Sequence, residues 1–158
     1  MDWFRFELME TGVHLAQLTI AYALSLPIAW DRERSERSFG MRTFPLVAVA
    51  SCSFMLLARN LAPDSPTGQT QVLYGVITGV SFLGAGIIIK QNRAVRGVAT
   101  AAAVWTTTAV GAAVAQRDYG IAIAVSLLTF FTLRWLENFK LLGEERQQKQ
   151  QAEQTNAE

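Results

Sequence analysis

The chain has 158 residues, of which 51% are hydrophobic and 17% are charged, with a net charge of +1 and a mean hydropathy of +0.21. An ordinary soluble domain is about 25% charged, so this composition argues against a disordered chain, and the small net charge gives no indication of nucleic-acid binding. The single cysteine, Cys52, excludes an intrachain disulfide scaffold.

Five apolar stretches follow one another along the chain, at about residues 11–30, 44–58, 72–89, 98–116 and 119–136. A membrane-spanning helix needs about 20 mostly apolar residues, with a range of about 17–25. The third and fourth stretches contain no charged residue, and Arg59 can extend the second because its long side chain reaches toward the headgroups. A soluble bundle would have to bury every side of five helices in a short chain. The sequence therefore predicts an all-α, polytopic membrane helix bundle of about five transmembrane helices.

The basic residues indicate how this bundle is oriented. If all five stretches span the membrane, three basic side chains lie on one side, namely Arg5, Arg59 and Arg117. The other eleven lie on the opposite side: Arg32, Arg34, Arg37, Arg42, Lys90, Arg93, Arg96, Arg134, Lys140, Arg146 and Lys149. Because positive charge is enriched in cytoplasmic loops, we expect the N-terminus outside and the C-terminus in the cytoplasm.

The last part of the chain has a different composition from the rest. Residues 141–158 are rich in glutamine and charge and lack aromatic side chains. We therefore predict a five-helix transmembrane domain over residues 1–140, followed by a disordered polar cytoplasmic tail over 141–158.

Small residues predict where the helices pack closely, because small side chains let membrane helices approach. One face of the fourth stretch repeats them every four residues: Ala99, Ala103, Thr107, Gly111 and Ala115. The third stretch carries Gly75 and Gly79 as a GxxxG pair, with Gly86 on the same face. We expect these two faces to meet within one subunit, and the pattern leaves a homodimer open. Pro27 predicts a kink near the end of the first stretch.

Polar residues at helical spacing form a stripe on the first stretch, at Glu10, His14 and Gln17. One interpretation is an outward-facing polar vestibule with His14 as a titratable group. The other places the carboxylate among the outer headgroups and His14 in a hydrogen bond to a neighbouring helix. A lone histidine without a second histidine or a buried carboxylate makes a poor metal site, so the sequence leaves metal binding unassigned.

Charged residues of alternating sign follow the first stretch at 31–37 and predict a cytoplasmic loop. Asp31 directly follows Trp30, close to the hydrocarbon edge, where an unpaired carboxylate is costly. Arg42 and Arg96 on the same side are its candidate partners. Thr43 is a candidate N-cap for the second helix.

The motifs of common enzymes are missing from the chain. It has no phosphate-binding glycine loop, no nucleophile elbow and no cysteine–histidine pair, so the sequence predicts neither catalysis nor a cofactor. Magnesium prefers several oxygen ligands, and no carboxylate pair lies inside the second to fifth stretches. A magnesium pathway through this bundle therefore has little support from its residues.

Four blocks in order resemble the MgtC/SapB family of bacterial inner-membrane proteins. They comprise Asp31, Arg32 and Glu33; Gly40, Met41, Arg42 and Thr43; residues 81–86, with Gly84 and Gly86; and Arg96 and Gly97 with Thr100 and Trp105. The chain departs from the family pattern at Asp31, where glutamate is usual, and at Ser81, where glycine is usual. Because only residues 141–158 follow Lys140, the chain is more similar to the short SapB-like members that lack a C-terminal cytoplasmic domain.

The resemblance implies a multi-pass protein of the bacterial inner membrane with a role in adaptation to low magnesium and, for some members, in virulence. It also implies a non-enzymatic regulator that binds another membrane protein, and a homo-oligomer stays open. The alternative is a small oligomeric channel or transporter for magnesium or protons, with the Glu10, His14 and Gln17 stripe at its entrance.

Overall fold

Five apolar helices make up most of the computed structural model, which describes residues 2–35, 40–91 and 94–135. They are α1 (Asp2–Ser35), α2 (Thr43–Leu61), α3 (Pro66–Ile87), α4 (Val98–Ala115) and α5 (Tyr119–Trp135). The first four are long and apolar enough to cross a membrane, and α5 is a shorter apolar helix. The predicted all-α membrane bundle is confirmed. The predicted tail at 141–158 lies outside the described residues.

Helix α1 extends further than its apolar stretch. It passes through Pro27 without a break and continues to Ser35, so residues 31–35 are helical, and the prediction of a loop there was wrong. Arginine and glutamate are good helix formers, and Arg32 and Arg34 in the last turn interact favourably with the negative end of the helix dipole. The guanidinium of Arg34 also lies 5.4 Å from the ring centre of Trp30.

The start of α2 also differs from the prediction. Arg42, and not Thr43, occupies the N-cap position, and no side chain caps the helix there. The carbonyl of Gly40 accepts the first free N–H groups instead, from Thr43 at 3.0 Å and from Phe44 at 3.2 Å. At the next helix start, the Ser65 hydroxyl accepts a hydrogen bond from the N–H of Gly68 at 3.1 Å, and Pro66 occupies the first turn of α3.

A short hairpin joins α3 to α4. Strand β1 (Ile89–Gln91) pairs antiparallel with β2 (Ala94–Arg96), and Ile89 lies opposite Arg96. Gly97 follows with φ +83°, a left-handed conformation that side chains disfavour, and a Cβ there would collide with the backbone of Ile87. This close approach turns the chain directly into α4.

Helix α4 is the centre of the bundle. It packs against α1, α2 and α3, and more of it is buried than of the other three long helices. One core cluster joins Cys52 of α2 to Val110 and Val114 of α4, and a second joins Ile28 and Phe44 to other α4 residues. Helix α5 packs beside α1.

Candidate functional site

A buried ion pair lies at the end of α1. The Arg32 guanidinium (Nη2) lies 2.6 Å from Oδ2 of Asp31, and both side chains are more than nine-tenths buried. A second guanidinium nitrogen, Nε, donates to the same oxygen at 3.2 Å. Because an isolated carboxylate is costly away from water, this double contact explains how Asp31 is accommodated at this position.

The first two sequence blocks meet through Glu33. Its Oε2 accepts a hydrogen bond from the backbone N–H of Met41 at 2.9 Å. Gly40 lies so close to Glu33 that a Cβ on Gly40 would overlap both the side chain and the backbone of that residue. The block at 31–33 and the block at 40–43 therefore form one packed corner between α1 and α2.

The predicted partners of Asp31 were wrong. Among the described residues no ion pair joins Asp31 to Arg42 or Arg96, and both arginine side chains are exposed. The physical reason is the helical continuation of α1, which brings the neighbouring Arg32 against the carboxylate. Arg42 and Arg96 are therefore not needed to neutralise Asp31.

The third and fourth blocks also lie together, at the junction of α3 and α4. A Cβ on Gly84 would lie 3.8 Å from the Cβ of Ala101 and 3.9 Å from the ring of Trp105, which is ordinary van der Waals contact. Thr100 is fully buried in the first turns of α4. Gly86 faces open space instead, since nothing lies within 4 Å of a Cβ built there.

The small-residue face of α3 does not pack against the small-residue face of α4, so this prediction was wrong. A Cβ on Gly75 or Gly79 would meet no atom within 4 Å, so neither glycine contacts α4. The face of α4 packs on α2 instead, because a Cβ on Gly111 would collide with the Ser51 hydroxyl and the Ala48 carbonyl. In that α4 face four members are buried and one is exposed: Ala103, Thr107, Gly111 and Ala115 are buried, and Ala99 is exposed.

Two residues of the polar stripe, Glu10 and His14, line a pocket at the end of the bundle where α2 and α4 finish. This pocket is open, has a volume of about 640 Å³, and is lined by Glu10 and His14 of α1 together with Arg59, Asn60 and Arg117. The pocket thus brings four basic or titratable side chains, Glu10, His14, Arg59 and Arg117, from three parts of the chain to one surface.

Gln17 lies one turn further along α1 than His14 and is 1% exposed. Its Nε2 donates to the carbonyls of Val114 at 2.8 Å and Ala115 at 3.2 Å, and its Oε1 has no partner among the described residues. Gln17 therefore fastens α1 to the last turn of α4, which the sequence did not predict.

Two further interhelical hydrogen bonds were not predicted. Arg59 donates through Nη1 to the Ala115 carbonyl at 2.8 Å, and Ser126 donates to the Leu24 carbonyl at 2.6 Å. The polarity of these two residues inside apolar stretches was the available signal, since polar groups in lipid seek partners. Among the described residues no group of three or more histidine, cysteine or acidic side chains could hold a metal ion.

Long apolar helices around a small-residue core, with charge confined to their ends, define a polytopic α-helical membrane protein. Residues 18–142 match the MgtC family, and the chain belongs to that family.

Curated relatives support this assignment. The chain is 36% identical to Protein SrpB of Synechococcus elongatus over 80% of this chain and 74% of the relative. It is 31% identical to an uncharacterised protein of Synechocystis over 83% of this chain and 56% of the relative. It is 30% identical to Protein MgtC of Salmonella typhimurium over 73% of this chain. The chain thus spans about half the length of some relatives, 48% for Protein MgtC. No solved structure matches it significantly.

Proposed function

We propose that the chain is a non-enzymatic regulator in the bacterial inner membrane that binds another membrane protein through the outer face of α3. Adaptation to low magnesium, and virulence in some bacteria, is the physiological setting that the resemblance to MgtC implies. One observation carries the proposal: α3 buries only Val80, Gly84 and Ile87 within the described structure.

The outer face of α3 is defined here by Gly75, Phe82 and Gly86, which lie on one side of the helix. A Cβ on either glycine would meet nothing within 4 Å, and Phe82 is 82% exposed. Two smooth positions beside one large aromatic ring give a partner helix both a close approach and a shape to pack against. Such packing matters in lipid because burial from water does not drive association there.

Site-specific crosslinking tests this proposal. A photo-activated side chain in place of Phe82 in native membranes is expected to capture one discrete membrane protein, and the same group at Leu128 is not. Leu128 is the matched control because it is 67% exposed on α5, away from the outer face of α3. A Gly75→Leu variant with a photo-activated group at Phe82 is expected to lose the crosslink. Equal capture from positions 82 and 128 would contradict the proposal.

A second candidate function is a small oligomeric channel for magnesium or protons. The pocket containing Glu10 and His14 favours it, because both side chains line an opening at one end of the bundle. Within the described helices, however, the buried charged residues are Asp31 and Arg32 at the other end. Purified protein in liposomes distinguishes the two functions. The regulator predicts no magnesium or proton flux above that of empty liposomes, and a flux that His14→Ala abolishes would establish the channel.

A further inference from the structure

A second groove runs between α2 and α3, on the side of the bundle that faces the surrounding membrane. It has a volume of about 460 Å³ and is lined by apolar side chains, among them Leu46, Phe54, Val76 and Leu83, with Gly79 contributing an open position in its wall. Arg42 lines it at the N-terminal end of α2. A groove that is apolar along its length and cationic at one end has the polarity of a single phospholipid molecule.

The length of the groove fits one leaflet of a bilayer. From Arg42 to Phe54 the wall formed by α2 rises about 18 Å, at 1.5 Å per residue. Half of a hydrocarbon core of about 30 Å is about 15 Å. An acyl chain in this groove would therefore place its phosphate group at the level of Arg42.

The shape of the groove suits a narrow occupant. Its volume is about 460 Å³ and is spread along the roughly 18 Å between Arg42 and Phe54. A single hydrocarbon chain fits the space between α2 and α3.

Charge at the mouth of the groove selects the kind of lipid. Arg42 is exposed, and the described part of the chain pairs no carboxylate with its guanidinium. Asp31 is occupied by Arg32, and Glu33 accepts the N–H of Met41. A guanidinium forms strong, paired hydrogen bonds to phosphate oxygens, and the positive end of the α2 dipole adds to the attraction. Anionic lipids are concentrated at the cytoplasmic surface, where the positive-inside pattern places Arg42.

We propose that this groove is a binding site for one anionic phospholipid, with an acyl chain along Gly79 and the phosphate on Arg42. The site does not depend on the proposed regulatory function, because the groove lies beside the outer face of α3 and is defined by its own walls. It also gives Arg42 a role, since Arg42 does not pair with Asp31.

Titration of purified protein with phosphatidylglycerol and with phosphatidylcholine of the same acyl chains, followed by native mass spectrometry, tests the site. The unaltered protein is expected to bind one phosphatidylglycerol about tenfold more tightly than phosphatidylcholine. Both lipids offer a phosphate to Arg42, but only phosphatidylcholine adds a quaternary ammonium, whose repulsion from the guanidinium at a surface contact is worth about that factor. Arg42→Gln is expected to remove this preference and Arg42→Lys to keep most of it. Arg34→Gln, which removes another exposed charge at the same end of the bundle, is expected to have no effect.

The two open glycines of α3 supply the matched pair for the acyl chain. Gly79 lines the groove and Gly75 does not, while neither has a neighbour within 4 Å of an added Cβ. Gly79→Leu is expected to fill the groove and weaken phosphatidylglycerol binding, and Gly75→Leu to leave it unchanged. The proposal is overturned if both lipids bind equally, if Arg42→Gln keeps the preference, or if the two leucine variants weaken binding equally, which would assign the glycine face to a packed helix.

Discussion

Gly111 marks the closest approach of α2 and α4, and its replacement is the sharpest test of the packing. A methyl group at Gly111 would collide with the Ser51 hydroxyl and with the carbonyl of Ala48, which is backbone and cannot rotate away. Inserting a methyl group into a packed contact costs about 1–3 kcal/mol. The same change also stabilises the helix by about 0.5–1 kcal/mol, because alanine loses less conformational entropy than glycine.

Comparison with Gly75→Ala isolates the collision from the change in helix propensity. Gly75 has open space around it, so its variant gains propensity alone. The free energy of unfolding of Gly111→Ala should therefore be about 1–3 kcal/mol lower than that of Gly75→Ala. At about 2–4 °C per kcal/mol for a chain of this size, Tm in detergent should be about 2–12 °C lower. Equal Tm values for the two variants would refute the assigned contact between α2 and α4.

Three further predictions concern the ends of the bundle. Arg32→Gln leaves the Asp31 carboxylate buried without its partner and should lower the free energy of unfolding by about 3–5 kcal/mol. In a double-mutant cycle, adding Asp31→Asn should recover part of that loss, and no recovery would argue against the ion pair. Gly97→Ala combines a disfavoured φ with a collision and should lower Tm, whereas an unchanged Tm would contradict the turn geometry. The predicted orientation places Arg117 outside the cell and Arg42 in the cytoplasm. In a Cys52→Ala background, Arg117→Cys should therefore react with an impermeant maleimide on intact spheroplasts, and Arg42→Cys should react only after lysis. The opposite result would show that the predicted orientation is inverted.

The sequence predicts the helices well because charge is excluded from hydrocarbon. The apolar stretches at 98–116 and 119–136, with Arg134 near the end of the second, correspond closely to Val98–Ala115 and Tyr119–Trp135. The same rule misplaced the end of α1, since it treats every charged residue as an end of the span. Asp31 and Arg32 neutralise each other, and the helix continues past them to Ser35.

Helix partners are harder to predict than helices. The spacing from Ala103 to Ala115 correctly identifies a buried face of α4, but periodicity carries no information about which neighbour covers it. Gly75 and Gly79 have the same kind of spacing and remain uncovered. The role of Gln17 could not be predicted from the sequence, because its hydrogen-bond acceptors are backbone carbonyls of α4. Every residue has such a carbonyl, so the sequence does not indicate which ones Gln17 binds.

The unequal lengths of neighbouring helices relate this protein to the thickness of its membrane. The apolar stretch of α1, at 11–30, covers 20 residues before the charged end of the helix, and α4 covers 18. At 1.5 Å per residue these apolar lengths are about 30 Å and 27 Å, against a hydrocarbon core of about 30 Å. The apolar stretch of α1 therefore matches the bilayer while α4 falls slightly short of it, and a bilayer that thins to match α4 tilts α1 and alters the contact between the two helices. Each ångström of mismatch costs a fraction of a kcal/mol, so acyl-chain length is a physical variable through which the host membrane sets the angle between the longest and the most central helix.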